Sequence, residues 1–214
     1  MKIGILWDLD GTLLDTLQDL ADATNYALEK HGLPKRSLDE VRRFVGNGAR
    51  RLIEQATGGV KVDEVLHTFH THYDAHCRIH TGPYEGIMEA LVAVGEKYPM
   101  AIVSNKPDSA VKALCGDLFP GIRARGESAG CPRKPAPDMV LRTMEELGVE
   151  GCVYVGDSEV DVLTAQNAGV PCLSVLWGFR EEETLRSAGA KWFCRTPGEL
   201  LERIEEIKET VYGK

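Results

Sequence analysis

The feature that most constrains the fold is a rhythm of short, almost wholly apolar runs separated by segments with helical punctuation. The clearest runs are Ile3 to Trp7, Met100 to Val103, Val153 to Val155 and Leu173 to Trp177. Each is too short for a helix and lacks polar alternation, so each reads as a strand covered on both faces, as in a parallel sheet. Between them, Pro107-Asp108 and Pro137-Asp138 stand where helices open, and Gly148 closes the second of these. Ser158 to Ala168, ending at Gly169, is a third helix, and Lys191 to Phe193 with a helix from Pro197 to Lys208 completes the edge. This alternation predicts an α/β fold, a Rossmann-like doubly wound parallel sheet.

One stretch breaks the rhythm. From Thr16 to His80 there is helical pattern only: Leu17 to Lys30, a capping box at Ser37-Leu38-Asp39-Glu40, an interruption at Gly46-Asn47-Gly48, then Ala49 to Ala56 and Val62 to His80. The expected organisation is therefore a core domain of residues 1–15 and 81–214 with an inserted all-helical cap domain of residues 16–80. The cap is expected over the carboxyl ends of the strands, where open α/β sheets bind ligands. Its hinges would lie near Asp15 and between His80 and Pro83.

Charge excludes several classes of function. The 214 residues carry 33 Asp plus Glu against 25 Lys plus Arg, a formal charge of -8 that repels nucleic acid and anionic membrane. No apolar run approaches the roughly 18 residues of a membrane span, and Asp8 and Asp10 arrive before a signal-peptide core could form. A cytoplasmic protein, monomeric or weakly dimeric, with no nucleic-acid or membrane partner is expected. Cys77, Cys115, Cys131, Cys152, Cys172 and Cys194 are scattered without a C-x-x-C pair and read as free thiols packed as small hydrophobes.

The chemistry gathers where the apolar strands run out. Asp8-Leu9-Asp10-Gly11-Thr12 follows the first strand and Ser104-Asn105-Lys106 the second; Lys134-Pro135 precedes a helix, and Gly156-Asp157-Ser158-Glu159-Val160-Asp161 follows a later strand. In a parallel sheet these ends share one edge. A single Asp there is ordinarily a helix cap or turn residue, but capping does not explain four carboxylates with a Lys and a Ser. Adjacent carboxylates repel unless a cation lies between them. Asp8, Asp10 and Asp157 offer hard oxygens suited to Mg²⁺, without the sulfur or imidazole that favours zinc. Lys134 adds positive charge, and Ser104 adds a neutral donor. The set suits phosphoryl transfer.

These four segments, Asp8-Leu9-Asp10-Gly11-Thr12-Leu13, Ser104-Asn105, Lys134-Pro135 and Gly156-Asp157-Ser158-x-x-Asp161, resemble in kind and order the four motifs of the haloacid dehalogenase superfamily. The helical insert lies where that family's first-type cap belongs. The resemblance implies a Mg²⁺-dependent phosphatase in which Asp8 forms an aspartyl-phosphate and Asp10 serves as general acid and base. It implies Mg²⁺ bound by Asp8, Asp157 and the Asp10 carbonyl, with Ser104 on the phosphoryl group and Lys134 offsetting its charge. Thr12, Asn105 and Asp161 would support the phosphate site, Asp161 by orienting Lys134 or a metal-bound water. Asp10 argues against the dehalogenases themselves, which lack the second carboxylate.

Asp15-Thr16-Leu17-Gln18-Asp19-Leu20, Phe44-Val45-Gly46-Asn47-Gly48-Ala49, Gly82-Pro83-Tyr84-Glu85-Gly86 and Trp177-Gly178-Phe179 further resemble the phosphoglycolate phosphatase group. In that group the loop at Gly46, Asn47 and Gly48 selects the leaving group, and Arg50 could pair with a substrate carboxylate. The expected substrate is a small phosphorylated metabolite. Rival readings are a sugar-phosphate mutase or a pyrophosphatase on the same scaffold, or a non-catalytic phospho-ligand binder. The mutase is disfavoured by the lack of a His in Thr16 to Ala21, and the binder by the presence of Asp8, Asp10, Lys134 and Asp157 together. His67, His70, His72, His76 and His80 crowd one helix, but no arrangement of Cys or carboxylate completes a tetrahedral metal site there; a solvated or interface stripe is expected.

Overall fold

The computed structural model describes residues 1–213. In chain order it contains β1 (Ile3–Trp7), β2 (Leu14–Asp15), α1 (Leu17–Lys30), α2 (Leu38–Phe44), α3 (Gly48–Thr57), α4 (Val62–His76) and β3 (Gly82–Pro83). There follow α5 (Ile87–Gly95), β4 (Met100–Pro107), α6 (Asp108–Leu118), β5 (Arg123–Glu127), α7 (Asp138–Leu147) and β6 (Gly151–Gly156). The last elements are α8 (Glu159–Ala168), β7 (Cys172–Val175), α9 (Glu182–Ser187), β8 (Trp192–Cys194), a 3₁₀ turn (Pro197–Glu199) and α10 (Leu200–Tyr212). The chain divides into two compact units: Met1–Leu13 with the chain from Pro83 onward, and Leu14–Gly82.

The first unit is built on a six-stranded sheet of order β5-β4-β1-β6-β7-β8, parallel throughout. From β1 the chain winds outward through β4 to β5, then returns to the other side of β1 and winds outward through β6, β7 and β8. This is the doubly wound Rossmann-like topology, with its switch point between β1 and β6. The central strands are apolar along their whole length because helices cover both faces: Ile5, Leu6 and Trp7 on β1 and Val153, Tyr154 and Val155 on β6 are fully buried. Each such aliphatic side chain contributes roughly 1.5–3 kcal/mol by leaving water.

The second unit is helical apart from the short strand β2 and Gly82, the first residue of β3. Its interior is formed by Leu20, Ala27, Leu28, Val41, Ile53, Ala56, Val65, Phe69 and Tyr73, with the Phe69 and Tyr73 rings stacked 5.4 Å apart. α2 starts in the expected capping box: Ser37 Oγ accepts from Glu40 N at 3.3 Å, and Ser37 N donates to Glu40 Oε2 at 2.8 Å.

The structure corrects several expectations. β4 runs on to Pro107, so this proline ends a strand and α6 starts at Asp108; β7 stops at Val175, short of Trp177. α4 ends at His76 rather than His80, because the backbone N–H groups of His80 and Thr81 turn onto the buried carboxylate of Asp19 at 2.9–3.1 Å. His80 therefore leaves the helical stripe, while His72 stacks between Tyr26 and His76. Strand β5 was not anticipated, nor were α5 and α9. All six cysteines are free, five of them buried, and burial pushes the Cys152 thiol up to about 12. No helix among the described residues is long and apolar enough to cross a membrane.

Candidate active site

The site grows from the two strands that flank the switch point. Asp8 directly follows β1, and its N–H donates to Val155 O on β6 at 2.8 Å, so the sheet ladder fixes where this carboxylate begins. The chain then turns sharply, with Thr12 N and Leu13 N both donating to Leu9 O. Gly11 makes that turn at φ +85, in the left-handed region. Any Cβ there would run into the Asp157 carboxylate. The loop after β1 is therefore pressed against the loop after β6.

Lys134 is the hub. Its Nζ donates to Asp8 Oδ1 at 2.7 Å, to Asp161 Oδ1 at 2.7 Å and to the Tyr154 hydroxyl at 3.0 Å, and the side chain is only 2% exposed. Asn105 holds the Lys134 backbone from both sides, its Nδ2 donating to Lys134 O and its Oδ1 accepting from Lys134 N. Asp161 is fixed in turn by a second capping box. Its Oδ2 accepts from Ser158 Oγ at 2.6 Å and from Ser158 N at 3.1 Å.

Asp157 lies across the turn from Asp8. Its Oδ1 accepts from Thr12 Oγ1 at 3.3 Å and its Oδ2 from Phe179 N at 2.7 Å. The Trp177 indole N–H donates to Thr12 O at 3.0 Å, and a Cβ on Gly178 would collide with Asp157 and with Gly11 O. The segment Trp177-Gly178-Phe179 thus backs the Asp157 carboxylate. On the other side, Asp10 Oδ2 pairs with the buried Lys106 ammonium at 3.2 Å, while Asp10 Oδ1 is buried without a hydrogen-bond partner among the described residues. Ser104 Oγ accepts from Lys106 N at 3.2 Å.

The electrostatics show a shortage of positive charge. Burial and the neighbouring Asp161 push the Asp8 carboxyl well above its ordinary range, against the opposing pull of Lys134. Asp157 is pushed up to about 7, again by burial and then by Asp161. Burial works against the Lys134 ammonium, but Asp161 and Asp8 outweigh it and hold Lys134 well above its usual value. Three buried carboxylates thus face one ammonium. One oxygen from each of Asp8, Asp157 and Asp161 lies within 4.8 Å of the others. This all-carboxylate, charge-rich group fits a hard divalent cation such as Mg²⁺.

Asp8, Asp10, Thr12, Ser104, Asn105, Lys134, Asp157 and Asp161 all belong to the α/β unit: Asp8, Asn105 and Asp161 bond to Lys134, Thr12 bonds to Asp157, and Asp10 and Ser104 each contact Lys106. Gly46, Asn47, Gly48 and Arg50 belong to the helical unit. There Arg50 donates to Asp63 Oδ1 at 2.5 Å and lies 3.8 Å from Glu54, with half of its side chain exposed. Sequence reasoning passed over Lys106, Tyr154 and Phe179 N–H. Lys106 carried a readable signal, a charged residue at the end of a buried strand. Tyr154 read as core, and a backbone N–H leaves no trace in residue type.

A family model described as haloacid dehalogenase-like hydrolase matches residues 5–175. A phosphoglycolate phosphatase from Aquifex aeolicus is 34% identical over 186 residues, which cover 82% of this chain and 85% of its own. An N-acetylmuramic acid 6-phosphate phosphatase from Pseudomonas aeruginosa is 30% identical, covering 94% of each chain. Among solved structures, that of a candidate phosphoglycolate phosphatase from Lactobacillus delbrueckii subsp. bulgaricus matches with a TM-score of 0.89 at 35% identity, covering 94% of this chain and 97% of the other.

Proposed function

The chain belongs to the haloacid dehalogenase-like hydrolase family and is a phosphatase, and on that premise we propose that it hydrolyses a small phosphorylated carboxylic acid, 2-phosphoglycolate foremost, through an aspartyl-phosphate on Asp8. The observation that carries this reading is the Lys134 hub. Nζ occupies Asp8 Oδ1, which leaves Oδ2 as the attacking oxygen. That oxygen forms a bond to phosphorus as the bond to the leaving oxygen breaks, and Asp10 gives the leaving oxygen its proton. Water then attacks the aspartyl-phosphate and passes a proton to the Asp10 carboxylate. The bond from phosphorus to Asp8 breaks, and inorganic phosphate and both carboxyl groups are restored. Ser104 Oγ donates to a phosphoryl oxygen, while Lys134, aligned by Asp161 and by the Asn105 clamp, offsets the charge that builds beside Asp8. Mg²⁺, held by the Asp8 and Asp157 carboxylates and the Asp10 carbonyl, would supply further positive charge to the phosphoryl oxygens.

Support for an acidic substrate comes from the relatives: both names just given denote a phosphorylated acid. We assign residues 16–80 as the cap domain, with Gly46-Asn47-Gly48 and Arg50 selecting the leaving group. Arg50 would exchange Asp63 for a substrate carboxylate. The test is a phosphate-release screen over 2-phosphoglycolate, N-acetylmuramic acid 6-phosphate, neutral sugar phosphates, nucleotides and pyrophosphate, with and without Mg²⁺. Turnover should require Mg²⁺ and be fastest on a phosphorylated acid. Asp8→Asn should fall to the background rate while folding normally, and turnover by that variant would overturn the nucleophile assignment. Transfer of phosphate to a second hydroxyl would mark a mutase instead.

A further inference from the structure

Arg180 has no part in the mechanism above, yet its guanidinium is enclosed beside the segment that holds Asp157. Phe179 N–H donates to Asp157 Oδ2 at 2.7 Å, and it does so from a stretch outside any strand or helix, since β7 stops at Val175 and α9 starts at Glu182. Arg180 is the next residue. Its Nε donates to Glu159 Oε2 at 2.7 Å and its Nη2 to Glu159 Oε1 at 3.3 Å. Its side chain is 10% exposed. Glu159 is the first residue of α8, two positions beyond Asp157. Residues 157–159 and 179–180 are therefore clasped at two points, one of which is the carboxylate of Asp157 itself.

We propose that Arg180 and Glu159 are positioning residues for the cation site: their two-point pairing fixes the Phe179 N–H on Asp157 Oδ2 and so holds that carboxylate ready for Mg²⁺. The inference rests on Asp157 being a ligand of the ion. Apolar side chains of similar volume often join two segments as well as an enclosed ion pair does. What they lack is direction, because a guanidinium meets a carboxylate as a planar fork in one orientation. That orientation is passed to the neighbouring N–H, and groups that hold a metal ligand set its affinity for the ion. Thr12 Oγ1 holds the other Asp157 oxygen at 3.3 Å, so the carboxylate is restrained on both sides. Charge alone predicts the opposite sign: a guanidinium near the site repels a cation, and deleting it would tighten binding.

The test uses variants that leave the net charge unchanged. Arg180→Lys keeps the charge and loses the fork; Arg180→Met combined with Glu159→Gln removes one charge of each sign. Metal-free protein is titrated with Mg²⁺ by calorimetry without substrate, and its melting is followed in EDTA. Both variants should bind Mg²⁺ about tenfold more weakly, the lower end for partners that orient a metal ligand. Their kcat should recover most of its value once Mg²⁺ saturates. Arg186→Met with Glu182→Gln makes the same balanced change in an ion pair of α9 whose arginine is 58% exposed, and should leave the affinity unchanged. Unaltered Mg²⁺ affinity in both Arg180 variants, even with a lower melting temperature, would show that the pair only stabilises the loop, and would overturn the proposal. Asp157→Asn separates that outcome from failure of the underlying reading. If Asp157→Asn also binds Mg²⁺ as tightly as the unaltered protein, the ion lies elsewhere and both fall. If it binds weakly while the Arg180 variants do not, Asp157 keeps its role and the clasp alone is overturned.

Discussion

Two helices of this chain open with the same device, one in each unit. At α2, Ser37 and Glu40 exchange hydrogen bonds in a capping box whose members face solvent. At α8, Ser158 and Asp161 do the same, but Asp161 is fully buried and its second oxygen holds the Lys134 ammonium. The local physics is identical: a side-chain oxygen satisfies a free N–H of the first turn, and the third residue returns the bond. The use is different. At α2 the second acid oxygen reaches only the part-exposed Arg36, at 3.4 Å; at α8 the helix start holds the acid, and the acid aligns the buried lysine beside Asp8. A sequence motif for capping therefore says where a helix begins, while burial and the second oxygen decide whether it serves the chemistry.

The largest effect that would break this contrast comes from the acids themselves. Asp161→Asn removes one of the two carboxylates on a buried ammonium, and losing one partner of a buried pair costs roughly 3–5 kcal/mol. Because Lys134 keeps Asp8, we expect the unfolding free energy to fall by up to that amount, with kcat down roughly tenfold to a hundredfold, as for residues that orient a metal-site group. Glu40→Gln should leave kcat unchanged and barely move the melting temperature. Comparable kinetic losses in the two variants would show that α8 is capped for stability alone.

The second effect sharpens the same contrast through charge. In the metal-free protein Asp157 is pushed from 3.8 to about 7 by burial and by Asp161. The folded state then holds a proton that the unfolded chain has already released across that window, so stability falls as pH rises from about 4 to about 7. A bound divalent cation replaces that proton and should remove the fall. Melting curves in Mg²⁺ and in EDTA should therefore diverge as pH rises through the window. The separation should reach about 2.7 kcal/mol when Mg²⁺ is a hundredfold above its dissociation constant. A separation that stays constant with pH, or persists in Asp157→Asn, would place the ion elsewhere.

How much of this was legible in the residues follows from what each signal needs. The inner strands declared themselves because burial on both faces leaves an apolar run with no other reading. β5 did not, since Arg-Ala-Arg-Gly-Glu is an edge strand whose arginines pair with Glu146; nothing apolar marks it. β2 and β3 are two residues each, too short for any period. The end of α4 depends on Asp19, some sixty residues away, capturing His80 and Thr81. At the site, the carboxylates, Ser104 and Lys134 could be read because charge at strand ends has few structural uses. Tyr154 was hidden among strand residues, and only the fold brings its hydroxyl to Lys134. The Phe179 N–H on Asp157 is a backbone contact that any residue but proline could make.

The smallest effect is the most direct test of the contrast, because it makes one chemical change in both boxes. Ser37→Ala removes an exposed cap and should cost about 1 kcal/mol, the usual value for a serine N-cap. It should leave kcat and KM untouched. Ser158→Ala removes the same cap and the same hydroxyl-to-acid bond, but here that bond is buried and 2.6 Å long, against an exposed 2.9 Å from Ser37 Oγ to Glu40 Oε2. A buried carboxylate oxygen keeps only the Ser158 N–H, so the loss should be nearer 2 kcal/mol. With Asp161 freer to turn, Lys134 is less well aligned on Asp8, and kcat should fall several-fold while KM changes little. Both variants are measured by chemical denaturation and by phosphate release at saturating Mg²⁺. If Ser158→Ala loses stability but keeps full kcat, Lys134 is held well enough by Asp8, Tyr154 and the Asn105 clamp, and the α8 box is a helix start like the one at α2.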